Sequence, residues 1–423
     1  MSDINGSCSR CKTEAAILIS RKEKFCKTCF ARFIGGKQRK QMQDEKFKVK
    51  YGKAENNVTR VLLALSFGVS SLALLDIILL MLKEQAGMHH GKQGFELVIL
   101  NIDEHTTNSL TQSAREIVPL MKVRYPNLTF KVLSLSSFVN NQALLARISL
   151  YDDFSAIVKD FSAEDFRIAD LLDRCPNKSS REDLLHIIYR ELVLRTAYLE
   201  NCGTVLYGHN MSRLANDVIS LTVKGRGSLV AEALTDGEVS YRDRKIQIIH
   251  PLRDILQSEV DKYAELMTLG VFTLTSSIPV STVTKNMTIG EITSAYFEMV
   301  ESDYASVVST VVKTADKLVP PTAGTTNTCR VCKAVIHHDP KSWLRNITVN
   351  TPSELTTDEE RAVHAKYMAE RVVEEKGSGE KADLCYGCIV TLGGITSAGF
   401  VWPMEKDSSE AILNDYILSD KED

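Results

Sequence analysis

Eight of the ten cysteines fall into four Cys-x-x-Cys pairs: Cys8/Cys11, Cys26/Cys29, Cys329/Cys332 and Cys385/Cys388. Thiolates at this spacing can share one soft divalent ion, and four complete the tetrahedral shell that Zn²⁺ prefers. The first two pairs are 14 residues apart, the spacing of a zinc knuckle. So short a module has little core of its own. A bound ion would supply much of its folding free energy, on the order of 10–16 kcal/mol in zinc-finger peptides. The last two pairs are 52 residues apart, which fits a ribbon carrying a long insertion. His337 and His338 are alternative ligands there, although surface histidines beside Asp339-Pro340 are the simpler reading. Cys175 and Cys202 stand alone and read as ordinary thiols. The first residues are polar, so no signal peptide is predicted. Metal binding in a reducing, cytoplasmic compartment is expected rather than a disulfide framework.

Other stretches have the chemistry to meet phosphate. Phe25–Lys40 interleaves Phe25, Phe30 and Phe33 with Lys27, Arg32, Lys37, Arg39 and Lys40. Cations pair with phosphates and aromatic rings stack on unpaired bases, but the rings could equally pack the knuckle. Ser66-Phe67-Gly68-Val69-Ser70-Ser71 offers small residues between a strand and a helix, where backbone N–H groups can approach a phosphate. It is neither a Walker loop nor a GxGxxG. Gly208-His209-Asn210 follows a later strand, and Lys224-Gly225-Arg226-Gly227 reads as a basic, flexible turn.

The 423 residues fit two or three domains, and 44% apolar with 25% charged residues is ordinary globular composition. The net charge of −3 excludes a general basic coat for nucleic acid. Residues 1–60 nevertheless hold 15 Lys and Arg against 6 Asp and Glu, a local basic head. Residues 401–423 hold 7 acidic and 2 basic residues, a solvated tail.

Apolar runs at Val61–Leu65, Leu97–Ile102, Phe130–Leu135, Thr204–Tyr207 and Ile246–Ile249 predict buried parallel strands. Helical patterns lie between them. One runs from about Arg181 to Asn201, with Ser180 and Asp183 as a capping-box-like start and Gly203 after its end. Another covers about Leu256 to Leu269. This alternation predicts a doubly wound parallel α/β sheet over residues 55–280, with ligands at the C-terminal strand ends. Residues 140–180 read as an insertion, 281–320 as a helical extension closed by Pro320-Pro321, and 321–400 as a separate Cys-pair module containing Gly377-Ser378-Gly379.

Val61–Leu82 has the length of a membrane span, about 20 residues. However, Asp76 near a bilayer centre would cost roughly 2.5–3.5 kcal/mol. Gly68 and the serines around it also divide the run into strand, turn and helix. No membrane association is predicted.

Taken together, the knuckle, the strand–SxGxSS–helix, Gly-His-Asn and the C-terminal pairs resemble the PP-loop ATPases of tRNA thiolation. The similarity is greatest to the cytoplasmic tRNA 2-thiolation protein 2 family. Lys224–Ser228, Ile249–Asp254, Val307–Leu318 and Leu384–Cys388 extend it over nearly the whole chain. The resemblance implies a PP-loop fold and a heterodimer with a catalytic PP-loop subunit. It also implies a tRNA substrate, adenylated at the 2-carbonyl of its wobble uridine, and sulfur from a thiocarboxylated ubiquitin-like carrier. The wider family's S-G-G-x-D-S is matched here at Ser66, Gly68 and Ser71, but Phe67 replaces a glycine and Ser70 the aspartate. Met211-Ser212-Arg213 stand where active relatives have aspartates, and no cysteine lies between Cys202 and Cys329. Carboxylates for Mg²⁺ and a sulfur nucleophile or cluster ligand are thus missing, and Phe67 is expected to obstruct a phosphate.

The expectation is a supporting subunit whose own ATP site, formed by Ser66, Gly68, Ser70, Ser71, Gly208, His209 and Asn210, is degenerate. Lys27, Arg32, Lys37, Arg39, Lys40, Lys224 and Arg226 would meet tRNA. The four N-terminal cysteines, Cys8, Cys11, Cys26 and Cys29, would hold zinc, and Cys329, Cys332, Cys385 and Cys388 could build a second site for zinc or an iron–sulfur cluster. The alternatives are an adenylating sulfurtransferase active in its own right and a zinc-knuckle scaffold without part in chemistry.

Overall fold

The computed structural model describes residues 6–51, 58–103, 114–126, 128–139, 144–148, 155–158, 166–274, 283–319, 327–338, 340, 354–374, 380–381, 383–395 and 400–404. Pro320-Pro321, Asp339, Gly377-Ser378-Gly379 and residues 405–423 of the acidic tail lie outside them.

In chain order, β1 (Leu18–Ser20), β2 (Glu23–Phe25) and α1 (Lys27–Gln41) precede β3 (Thr59–Ala64), α2 (Val69–Met88), β4 (Phe95–Asp103), α3 (Ala114–Arg124) and β5 (Thr129–Ser134). Next come β6 (Leu144–Ile148), β7 (Ser155–Val158), α4 (Ile168–Asp173), α5 (Lys178–Leu199), β8 (Thr204–Tyr207), α6 (Met211–Val223) and α7 (Val230–Leu234). β9 (Gly237–Tyr241), β10 (Arg244–Ile249), α8 (Gln257–Leu266) and α9 (Ile289–Ala315) follow. α10 (Asp358–Glu374), β11 (Glu380–Lys381), α11 (Tyr386–Leu392) and β12 (Phe400–Met404) close the series. The chain forms two compact units. One comprises Met1–Leu135, Ile188–Val223 and Gly227–Pro320, the other Ser136–Ile187, Lys224–Arg226 and Pro321–Asp423.

In the first unit a six-stranded sheet has the order β5-β4-β3-β8-β10-β9. The five expected strands are all present and parallel. The edge strand β9, antiparallel to β10, was not legible because it alternates half-buried and exposed residues instead of forming an apolar run. After β3 the chain moves to β4 on one side, and β8 later takes the other side. The C-terminal ends of β3 and β8 therefore form the switch point where such sheets bind ligands. The apolar stretch Val61–Leu82 is β3 plus the buried helix α2, and no helix among the described residues is long and apolar enough to cross a membrane. Its single charge is satisfied internally: Asp76 accepts from Tyr125 Oη at 2.5 Å and Tyr263 Oη at 2.8 Å, with Arg124 beside it.

The N-terminal knuckle does not stand apart. Phe25, Phe30, Ile34 and Phe47 join the main core with β3 and α2, and the Phe47 ring meets Phe95 edge-on at 5.5 Å. α9 is opened by a capping box at Thr288 and Glu291 and packs along α6. Helix α5 begins three residues earlier than the sequence pattern indicates. Asn177 Oδ1 accepts the Ser180 N–H, and Asp183 has another task.

In the second unit the antiparallel order β11-β7-β6-β12 joins strands from the supposed insertion to strands near the C-terminus. Trp402 pairs in register with Ala146, and the buried Trp402 ring lies 5.1 Å from Phe138. Residues 144–148, 155–158, 380–381 and 400–404 thus share one sheet, although the sequence pattern alone separates the 140–180 stretch from the C-terminal module.

Candidate functional site

The N-terminal four cysteines converge, with all four Sγ atoms within 4.8 Å of one another and Cys11 3.9 Å from Cys26. Cys8 and Cys11 sit in a loop closed by Lys12 N–H to Cys8 O, and Lys12 takes a positive φ of 60°. The β1–β2 hairpin turns through Arg21 and Lys22, both at positive φ, and delivers Cys26 to the N-cap of α1 and Cys29 to its first turn. Bonds of about 2.3 Å around a tetrahedral ion separate sulfurs by about 3.8 Å, so the set fits one ion. An iron–sulfur cluster would need room for bridged irons between the thiolates.

Helix α1 resolves the choice left open for the aromatic, basic stretch. Phe25 and Phe30 are buried in the core. Phe33 is half-buried beneath three cations, with Lys37, Arg10 and Arg21 at 4.6, 5.6 and 6.0 Å from its centroid. Lys27, Arg32, Arg39 and Lys40 are exposed, Arg39 in an ion pair with Glu84. Lys37 departs from the expected tRNA-facing role. It donates to Asp254 O at 2.9 Å and lies 3.5 Å from the buried Glu259, and burial, opposed by Glu259, pushes its ammonium down to about 8. Glu259 also accepts from Ser20 Oγ and Arg21 Nε, both at 2.8 Å. Burial would raise its carboxyl, but Arg21 and Lys37 outweigh burial and hold it below the ordinary range. Sequence reasoning missed this anchor because its partners stand more than 200 residues apart.

The loop between β3 and α2 lies at the switch point. Its groups are largely occupied with one another. Ser71 Oγ donates to Gly68 O at 2.9 Å, and the Ser66 and Ser71 hydroxyls are 3.2 Å apart. Asn210 Nδ2 donates to Ser70 Oγ at 2.9 Å and to Gln257 Oε1 at 2.6 Å, while Asn210 Oδ1 accepts Arg213 N–H at the start of α6. A Cβ on Gly208 would lie 2.7 Å from Ser71 Cα, so only glycine lets the end of β8 pass this close to α2. Ser66, Gly68, Ser70, Ser71, Gly208 and Asn210 thus lie against one another, whereas the contacts of His209 are with Tyr207, His250 and Asp217. The expected obstruction by Phe67 is not what the structure shows: its φ is +58° and its ring is wholly buried in the core, leaving the loop mouth free of it. The rings of His209, Tyr207 and His250 form a triangle, with His209 5.3 Å from Tyr207 and 5.5 Å from His250 and the last two 6.0 Å apart, and Asp217 lies 3.7 Å from His209.

The C-terminal four cysteines also converge within 4.8 Å, with Cys332 and Cys385 3.5 Å apart, and His337 and His338 are outside the group. The local design repeats the knuckle. Lys333 N–H closes on Cys329 O at φ +61°, Cys385 is the N-cap of α11, and Cys388 lies in its first turn. The turn Lys224–Gly227 is not the free basic surface the sequence predicts. Lys224 and Arg226 are 7% and 3% exposed. Lys224 is 3.7 Å from Glu182, and Arg226 is committed to Asp183 at 2.6 Å and to the sulfurs of this group. A run of charge and glycine looks solvated when its buried partners are remote in sequence. Cys175 and Cys202 are each pushed up to about 11 by burial, which leaves them protonated and unreactive near neutral pH.

A doubly wound parallel sheet with a serine-rich loop at its switch point defines a fold of the PP-loop type, in a chain that also carries two four-cysteine groups. The same fold occurs in the U34-tRNA thiolase NcsA from Methanococcus maripaludis, solved with its [4Fe-4S] cluster. The match covers 84% of this chain and 100% of that one, with a TM-score of 0.54 and 16% identity. Residues 288–390 match the family model for cytoplasmic tRNA 2-thiolation protein 2. Proteins of that name from Debaryomyces hansenii and Scheffersomyces stipitis are 52% and 45% identical, over 99% and 100% of this chain and 97% and 98% of their own lengths. The chain belongs to the cytoplasmic tRNA 2-thiolation protein 2 family.

Proposed function

We propose that this chain is the supporting subunit of a cytosolic heterodimer that 2-thiolates wobble uridine in tRNA, on the way to 5-methoxycarbonylmethyl-2-thiouridine. A PP-loop partner binds Mg-ATP, adenylates the uridine and takes sulfur from a thiocarboxylated ubiquitin-like carrier. This chain contributes tRNA contacts through Lys27, Arg32, Arg39 and Lys40. Zinc in the two four-cysteine groups holds its ends in shape; bound there, the ion would supply charge neutralisation and cross-linking rather than a reactive site.

The observation that carries this reading is the loop at 66–71. Ser70 accepts from Asn210 where the wider family has an aspartate, and the start of α6 offers Met211, Ser212 and Arg213. Ser212 donates to Glu301 and accepts Gln257 N–H, so its hydroxyl serves α8 and α9. Without carboxylates at these positions, Mg²⁺ on a nucleotide has few hard oxygen ligands.

The test is mass spectrometry of tRNA nucleosides after deletion of the gene. Wobble 2-thiouridine should disappear and return with the wild-type chain. Unchanged 2-thiouridine would remove the proposal and leave a zinc-bound scaffold.

A further inference from the structure

Arg226 is a buried cation that the proposed function does not use. Its Nη1 and Nη2 lie 3.7 and 3.6 Å from Cys388 Sγ, and Nη1 is 4.0 Å from Cys385 Sγ. Nε donates to Asp183 at 2.6 Å and Nη2 to Thr391 Oγ1 at 3.0 Å; Thr391 in turn donates to Asp183 at 2.6 Å. Two glycines make the approach feasible. A Cβ on Gly387 would lie 2.6 Å from Arg226 Cγ, and one on Gly225, at φ +72°, would lie 2.6 Å from the Tyr386 ring. The stretch Lys224–Gly227 is therefore shaped to thread a guanidinium onto the second Cys-x-x-Cys of the group.

Four thiolates around a divalent ion carry a net double negative charge. Thioether-like packing or a lone Asp183 would leave that charge buried and uncompensated. A guanidinium cannot be deprotonated at physiological pH and offers several donors in a plane. Groups in this outer position orient metal ligands and tune their electronics.

We propose that Arg226 is the outer-sphere cation of the C-terminal four-thiolate metal site. It stabilises the sulfur lone pairs of Cys388 and Cys385, slows metal loss and lowers the nucleophilicity of the bound thiolates. The site then serves to hold structure and is shielded from sulfur chemistry. This rests on the reading that these four cysteines bind a metal ion.

The experiment uses the full chain loaded with Co²⁺ for spectroscopy and with Zn²⁺ for reactivity. Hydrogen bonds to thiolate sulfur raise the energy of sulfur-to-cobalt charge transfer. In R226M that band should move to longer wavelength. Alkylation of Cys388 by iodoacetamide, followed peptide by peptide, should accelerate about tenfold or more, while Cys26 and Cys29 of the same molecules keep their rates. If R226M fails to fold because Asp183 is left unpaired, D183N/R226M removes both charges at once and carries the same two readouts. A merely structural arginine would alter cobalt occupancy without moving the band. An unchanged band and an unchanged Cys388 rate in the folded variant overturn the proposal. A wild-type C-terminal group that takes up no Co²⁺ or Zn²⁺ also overturns it, by refuting the metal reading itself. Neither result depends on thiolation activity.

Discussion

Both four-cysteine groups set one Cys-x-x-Cys-Lys in a loop, with the lysine at positive φ, and place the other pair at the N-terminus of a helix. Their surroundings differ. At the N-terminal group the neighbouring Arg10 is turned to Glu23 and to the faces of Phe25 and Phe33. At the C-terminal group Arg226 is buried against the sulfurs themselves. One four-cysteine design, fit to hold a metal ion, thus serves two ends: a knuckle that carries exposed cations outward on α1, and a core-like centre that draws distant segments together. The cation at the second is invisible to spacing rules, since Asp183 and Cys388 lie 43 and 162 residues from it.

The largest effect that sharpens this contrast is loss of a ligand. C388S should cost on the order of 5 kcal/mol, because it breaks a metal shell and strips a buried arginine of a partner. Amide hydrogen exchange should accelerate at residues 183–187 and 224–226 while α1 keeps its protection. C29S should do the reverse, loosening residues 8–41. A uniform loss across both regions would show that the two groups are not independent.

A smaller effect concerns how the knuckle is fastened. E259Q leaves Arg21 and Lys37 facing a neutral group and should cost about 2–4 kcal/mol, read as the urea midpoint. Glu259 titrates below its ordinary value of 4.5 in the folded chain. Its contribution is therefore complete above that value and lost as the pH falls through the lower folded one. E259Q should flatten the acid limb of stability in that window and, by removing the charge that opposes burial at Lys37, move that ammonium's titration further down and alter the limb above neutral as well.

The smallest effect on stability should come from R32A/R39A/K40A, within about 0.5 kcal/mol, since these side chains are exposed. If they contact phosphates, tRNA affinity falls and its log–log salt slope drops by up to about 2–3. An unchanged slope would place the tRNA contact elsewhere.

Much of the architecture was legible because the relevant signals are local. Buried parallel strands are apolar runs, so Val61–Leu65 and Leu97–Ile102 stood out, and the serines and glycine of 66–71 marked the turn between β3 and α2. The cysteine pairs announced both groups, and where the C-terminal pairs meet across 52 intervening residues Arg330 N–H also bonds Asp383 O, a contact no spacing rule reveals. Strand β6 found its partner in β12 more than 250 residues later, so the insertion and the C-terminal module looked unrelated. Lys37 and Arg226 were misjudged for one reason: a cation's exposure is decided by acids and sulfurs that tertiary structure brings to it.

As proposed, this chain supports a thiolation active site without turning over nucleotide itself. The direct measurement is pyrophosphate release from Mg-ATP with substrate tRNA, first with the purified chain and then after adding the proposed PP-loop partner. The account predicts no release by the chain alone and tRNA-dependent release once the partner is present. Release by the chain alone, abolished by S66A/S71A, would contradict it and make the loop at 66–71 a working ATP site.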